Sequence, residues 1–366
     1  MRKTAATMLS LLLFLMPLGG CAVSGGDSVT LAQDAGANDK PPPPVRETGE
    51  YVVDASGEKL LIPEGDAVSI ASVYAVAVPF IVALGLSDNV VAVNCKSKFW
   101  PDNSEGLAKA GSVGRGIVDL EALASYAPDV LIHRTNDPQT VKAVRELGVA
   151  AMSIKAESID EIMDTLDLIG HFCRVEARAE EVKDWMNGKF DQIAALTEGI
   201  PLETRPAAVV LGGELGVVAG GDMLQSWMVE RAGAISLTAG IEGGVTDSPI
   251  ASAWANIGVE RLFSIDPDVI FCTSSTVLDY TVEEILTTPS FSGLKAVMSG
   301  RVYQIPAKWD SWDLPGVSCA IGTMWMLHSL YPELLSAGDL QAEIDGYYTF
   351  MFGRTFDGEY LGYETG

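Results

Sequence analysis

The 366-residue sequence predicts an α/β protein of two lobes of similar construction, joined by one long linking α-helix, with a ligand cleft between the lobes. Three observations carry this. Short β-prone runs alternate with helical ones, the pattern of parallel βαβ units. Residues 121–130 and 260–269 share the pattern E-x-L-x-S-x-x-P-D-V, six identities at one spacing in two halves of the chain. Each copy leads into an apolar run, so each reads as a short helix stopped ahead of a proline and then a buried strand. Between the halves, Phe172, Val175, Ala179, Val182, Met186, Phe190, Ile193 and Leu196 recur at three- and four-residue steps in a charged background, which is an amphipathic helix.

Taken in order, the chain begins with Arg2 and Lys3 ahead of an apolar run over 5–18, the charged and hydrophobic regions of a secretory signal. The run is shorter than the ~20 apolar residues that span a bilayer. Leu18-Gly19-Gly20-Cys21 resembles the lipobox of bacterial lipoproteins, which implies cleavage before Cys21 and a lipid on its thiol. Residues 1–20 are therefore expected to be a signal peptide and 21–50 a lipidated, disordered tether. The tether has few large apolar residues to bury, and Pro41 to Pro44 form a stiff polyproline spacer. Ser56-Gly57 between two β-prone runs predicts a hairpin over 51–63. Strands are expected at 68–73, 90–93 and 130–133, with a helix over 78–86 closed by Gly85. These belong to an N-terminal lobe of 51–170. The linking helix falls within 171–200, and Arg174 to Glu198 would span about 37 Å at 1.5 Å per residue. A C-terminal lobe of 201–335 and a Tyr-, Phe- and Gly-rich tail of 336–366 complete the chain.

Composition excludes several functions. With 24 Lys plus Arg against 49 Asp plus Glu, a net charge of -25 repels phosphate backbones, so no nucleic-acid partner is expected. The three histidines, His133, His171 and His328, form no metal-binding pattern, and the five cysteines include no C-x-x-C pair. No metal centre, cofactor or disulfide is expected. There is no phosphate-binding G-x-x-x-x-G-K-[ST] loop, and Gly316-Val317-Ser318-Cys319-Ala320 departs from a nucleophile elbow at its last position. An enzyme is not expected.

The sequence does hold aromatic and cationic residues just after predicted strands, where open α/β sheets bind ligands. Lys96, Lys98, Phe99 and Trp100 follow the strand at 90–93, and His133 and Arg134 end the strand at 130–133. Lys308, Trp309 and Trp312 follow a strand at 302–306. Aromatic faces pack against a large ligand, and cations bond its acidic groups. The expected ligand-binding set is Lys98, Trp100, His133, Arg134, Lys308, Trp309 and Trp312.

Together, the lipobox, the Pro-rich tether, the hairpin, the two α/β lobes and the spanning helix resemble the substrate-binding lipoproteins of ABC importers for iron-siderophores, haem and cobalamin, the class III periplasmic binding proteins. The resemblance covers roughly 51–335. It implies two Rossmann-like lobes, a lipid-anchored place on the extracytoplasmic face of the membrane or in the periplasm, and partnership with an ABC permease and its ATPase subunits. It also implies that Glu121 and Glu260 dock on the permease. Trp254-Ala255-Asn256-Ile257 fits the tryptophan that opens the family motif before the second glutamate. The basic, aromatic residues make a ferric siderophore or related metal chelate the first expectation, with haem, cobalamin or a metal oxyanion as alternatives. A secreted hydrolase or a surface adhesin stands further off.

Overall fold

The computed structural model describes residues 49–65, 67–95, 97–241 and 254–356. The expected signal peptide and Cys21, the expected tether apart from Gly49 and Glu50, and Lys96 lie outside the described residues. No helix among the described residues is long and apolar enough to cross a membrane.

The hairpin forms as expected. Strands β1 (Tyr51–Val53) and β2 (Lys59–Leu61) pair antiparallel around Ser56-Gly57. The Asp54 carboxylate closes the turn by accepting from the Ser56 and Glu58 amides, and its other oxygen accepts from Ser153 at 2.9 Å, which ties the hairpin to the first lobe. That lobe's sheet contains β3 (Ile70–Ser72), β4 (Val90–Val93), β5 (Val130–Arg134) and β6 (Ala150–Ile154), all parallel, in the order β4-β3-β5-β6. Its crossovers carry α1 (Ala77–Ala83), α2 (Phe99–Asn103), α3 (Glu105–Lys109), α4 (Leu120–Tyr126) and α5 (Pro138–Glu146).

Two helices then leave the lobe. Helix α6 (Ile159–Phe172) opens with a capping box from Ser158 and Glu161, and α7 (Glu176–Thr197) is the linking helix. Phe172 therefore belongs to α6, not to the linker, because Arg174 adopts φ 59° and breaks the helical path between them. Ala179, Val182, Met186, Phe190 and Ile193 form the buried face of α7, as the three- and four-residue spacing requires.

The second sheet contains β7 (Ala207–Leu211), β8 (Val217–Ala219), β9 (Ile235–Ser236), β10 (Trp254–Asn256), β11 (Val269–Cys272) and β12 (Val302–Gln304). Its order is β10-β8-β7-β11-β12, with β9 also on β7. The purely parallel expectation fails at one edge. β8 returns antiparallel to β7 through the tight Gly212–Gly216 turn, and β10 pairs antiparallel with β8. Helices α8 (Leu224–Arg231), α9 (Val259–Ile265), α10 (Val282–Thr287), α11 (Lys295–Met298) and α12 (Cys319–Leu330) complete the lobe. The tail is helical as well: α13 (Ala337–Phe352) starts at a Ser336–Asp339 capping box.

Alternation along the strands divides the core in three. Ile70, Val130 and Ile132 of the first sheet share one apolar cluster with α7, α12, α13 and Val210 and Phe271 of the second sheet. Leu131 and Ala151 face a separate cluster on the outer side of the first lobe, and Val209, Leu211 and Ile270 face another on the outer side of the second.

The repeated decapeptide has the same construction in both lobes. Leu123 and Leu262 are buried, while Ser125 and Ser264 back-bond to the carbonyls of Ala122 and Glu260. The helices end in left-handed residues, Ala127 at φ 44° and Asp266 at φ 42°, just ahead of the prolines. Asp129 then accepts from the Ser69 amide at 2.7 Å, and Asp268 from the Ala207 amide at 2.9 Å, so each aspartate staples its strand to the neighbour's entry. Ala127→Gly should raise stability by about 1 kcal/mol, because glycine adopts φ > 0 without the Cβ penalty. Asp129→Ala should lower it by about 1 kcal/mol. Urea unfolding midpoints read both, and shifts of the same sign would contradict this account.

Candidate functional site

The carboxyl ends of the parallel strands in both lobes supply the polar groups. In the first lobe, Tyr74 follows β3, Arg134 ends β5 and Glu157 follows β6. Ile132 and Arg134 share the face turned to the main core, while Leu131 and His133 share the opposite face. His133 accordingly lies 1% exposed beneath α5, its Nε2 3.0 Å from Oδ2 of Asp137, the residue that caps that helix. Burial pushes the His133 imidazole below its usual range despite the pull of Asp137, which favours the neutral ring at neutral pH, and its Nδ1 is buried with no hydrogen-bond partner among the described residues. The expectation that His133 lines the cleft is thereby corrected: strand alternation turns it away and makes it a support for the loop after β5.

Arg134 is on the other side. Its Nη2 lies 3.8 Å from Asp137, and its Nε–H is buried without an acceptor among the described residues. Tyr74 lies within electrostatic reach of both Arg134 and Glu157, and burial, followed by Glu157, pushes its phenol well up. Burial also raises the Glu157 carboxyl, with Glu161 and Asp222 acting in the same direction. Cys95, two residues beyond β4, is pushed up to about 11 by burial, so at neutral pH it is a thiol and not a thiolate.

In the second lobe the strand ends are organised by Asp313, which is fully buried. Its carboxylate accepts from Thr273 Oγ1, from the Ser274 amide at 3.1 Å and from Ser274 Oγ at 2.6 Å. Ser311 donates to the Ser274 carbonyl at 2.8 Å, and Gln225 Nε2 to the Asp313 carbonyl at 2.8 Å. The loop after β12 is thus bonded to the end of β11 and to α8. Ser318, the serine of the G-x-S stretch, is buried and donates to the Ser311 carbonyl, a structural bond and not a nucleophile's setting.

The three expected tryptophans do not form a ligand-facing wall. Trp312 is 1% exposed within the main core, beside Gly322, where a Cβ would sit 2.2 Å from the Trp312 carbonyl oxygen. Trp100 is buried and packs against Phe99 and Phe352. Trp309 is half-buried and stacks on Phe99 of the other lobe, with centroids 5.3 Å apart and planes 3° from parallel. Lys98 is exposed and Lys308 half-buried, and neither forms an ion pair among the described residues. Sequence reasoning missed Tyr74, Glu157 and Asp313, although the first two directly follow strands and position alone marks them.

Glu121 and Glu260 occupy the first turns of α4 and α9, both exposed. No hydrogen bond or ion pair holds either carboxylate among the described residues, whereas the other five identities of the repeat all serve packing, helix termination or stapling.

Comparison with known proteins agrees with this architecture. The molybdate-binding protein MolA of Haemophilus influenzae is 20% identical over 274 residues, 69% of this chain and 74% of that protein. A periplasmic solute binding protein of Veillonella parvula superposes with a TM-score of 0.68 at 20% identity, covering 84% of this chain and 94% of that one. Helicobacter pylori CeuE, in a nickel–histidine complex, gives 0.66 at 20% identity, covering 83% and 95%. The profile of the periplasmic binding protein family matches residues 70–309, and the chain belongs to that family, the solute-binding components of ABC transporters.

Proposed function

We propose that this binding protein captures a small metal oxyanion between the strand ends of its lobes and hands it to an ABC permease driven by its ATPase subunits. The observation that carries the reading is the contrast between Arg134 and the tryptophans. Arg134 keeps a buried, unaccepted N–H donor at a strand end, which an oxyanion oxygen satisfies. Trp100 and Trp312 are spent on internal packing, so neither offers a flat apolar face to haem, cobalamin or an aromatic siderophore. The relative named for molybdate supports the same class. A ferric siderophore is the second reading, favoured by Lys98 and Lys308, cations with no ion-pair partner among the described residues of a chain of net charge -25.

Thermal unfolding with molybdate, ferric siderophores, haemin and cobalamin tests the choice, since a ligand of the native state stabilises by about 2.7 kcal/mol at a hundredfold excess over Kd. Molybdate is expected to raise Tm, and Arg134→Ala to cost about 2 kcal/mol of binding, roughly thirtyfold in Kd by calorimetry. A rise with a siderophore alone would reinstate the second reading.

Docking on the permease is assigned to Glu121 and Glu260, the only repeat identities without an internal task. Exposed charge pairs contribute about 0.2 to 1 kcal/mol each, but across an interface they set register and on-rate. Glu121→Lys with Glu260→Lys should abolish uptake and leave ligand affinity unchanged. Lost ligand affinity would place these residues in the cleft instead.

The lipobox-like Leu18-Gly19-Gly20-Cys21 supports anchoring through a lipid on Cys21, at the extracytoplasmic face of the membrane. Cys21→Ser should move the protein to the soluble fraction. Membrane retention of that variant, without incorporation of labelled fatty acid into the native chain, would remove the anchor from this account.

A further inference from the structure

Two of the contacts between the lobes, one beyond β4 and the other beyond β6 of the first sheet, differ in kind. Phe99 follows β4, an edge strand of the first sheet, and Trp309 follows β12, an edge strand of the second. The C-terminal segment closes over their stack. Tyr348 meets Phe99 and Trp309 edge-on at 5.7 and 5.2 Å, and Phe356 meets the same two rings at 5.3 and 5.5 Å. Phe352 lies 5.5 Å from Phe99. Polar bonds hold this segment to every neighbour. Arg354 donates to Asn103 of the first lobe at 2.7 Å, and Tyr347 to Asp310 of the second at 3.2 Å. On α7, Lys189 and Gln192 hold Glu343 at 2.6 and 2.8 Å. Aromatic pairs of this kind contribute beyond area burial, so parting this edge means breaking several at once.

At the other edge, Glu157 follows β6, and its carbonyl accepts a single backbone hydrogen bond from Leu224 of the second lobe at 2.8 Å. Asp222 and Glu161 lie within electrostatic reach of Glu157, and Lys155, a cation also within reach, is bonded to Glu161 at 2.5 Å. A single peptide hydrogen bond contributes little net, and like charges beside it oppose closure of this edge.

We propose that the aromatic clamp completed by the C-terminal helix is the fixed edge of the lobe junction, and that the lobes part at the Glu157–Leu224 edge, which serves as the ligand's entrance. The entrance role rests on the binding reading given above; the unequal edges do not. The latch is one backbone bond from the start of α8 to the loop after β6, flanked by buried Leu224 and Ala156, whereas the clamp joins Phe99 and Trp309 to residues 347–356, which lie beyond the family match.

Hydrogen exchange followed by mass spectrometry on the full chain without ligand separates these ideas, because its outcome is independent of which solute binds. Segments 155–160 and 221–226 should exchange at least tenfold faster than 97–104 and 306–314. Phe352→Ala with Phe356→Ala, both partly exposed rings, should speed exchange in 97–104 and 306–314 and leave strands β3, β5, β7 and β11 unchanged. The exposed Arg354→Ala should do the same more weakly, within 97–104. Asp222→Asn, which removes one repelling charge, should slow exchange at Leu224 severalfold. The proposal is overturned if the two edges exchange alike in the native chain, if the ring variants speed exchange uniformly through both lobes, or if Arg354→Ala and Asp222→Asn change nothing.

Discussion

A single apolar core crosses the boundary between the lobes, and the behaviour of the molecule follows from that. The inner faces of both sheets, through Ile132 and Phe271, bury against the same helices, with Met186 on α7, Met324 on α12 and Tyr347 on α13 in one cluster. Apolar burial has no preferred direction, but side chains packed to crystal-like density resist sliding past one another. Each lobe also has a private outer core, which keeps its own sheet and helices together. The lobes are thus rigid units on a shared, close-packed junction. A junction of this kind confines relative motion to small displacements of the lobes.

That confinement explains the chemistry of the site. A binding protein whose lobes swing little must hold its donors ready, and the donors here are held by second partners. Asp313 orders the hydroxyls at the end of β11, while Asp137, capping α5 and bonded to His133, lies beside the Arg134 guanidinium. Neutral His133 belongs to this supporting layer. A charged imidazole in its buried place would carry a desolvation cost that Asp137 only partly offsets.

The duplicated decapeptide shows how one short sequence does several jobs. Leucine packs, serine back-bonds, the left-handed residue and proline stop the helix, and aspartate staples the next strand to its neighbour. The glutamate does none of these in either copy, and its carboxylate faces solvent in both lobes. The permease-docking role proposed for Glu121 and Glu260 rests on that contrast.

The hairpin, the two α/β halves and their repeat, and the buried face of the linking helix are legible along the chain, because each rests on residues close together in it: alternation, three- and four-residue spacing, turn and capping chemistry. The sequence also marked the strand ends as the place for polar groups. Only the tertiary structure decided which strand-end side chains face the cleft. His133 and Arg134 are adjacent in sequence, yet the pleat sends them to opposite faces. Trp309 reads as a ligand anchor until Phe99, from the other lobe, is found stacked on it. The Tyr- and Phe-rich tail has no assignable role until α13 brings those rings to the same stack. The antiparallel return of β8 is likewise settled by a glycine turn and by pairing with β10, not by β-propensity. A ring covers whichever apolar surface folding brings against it, and that surface comes from residues far away in the chain, where local pattern carries no information.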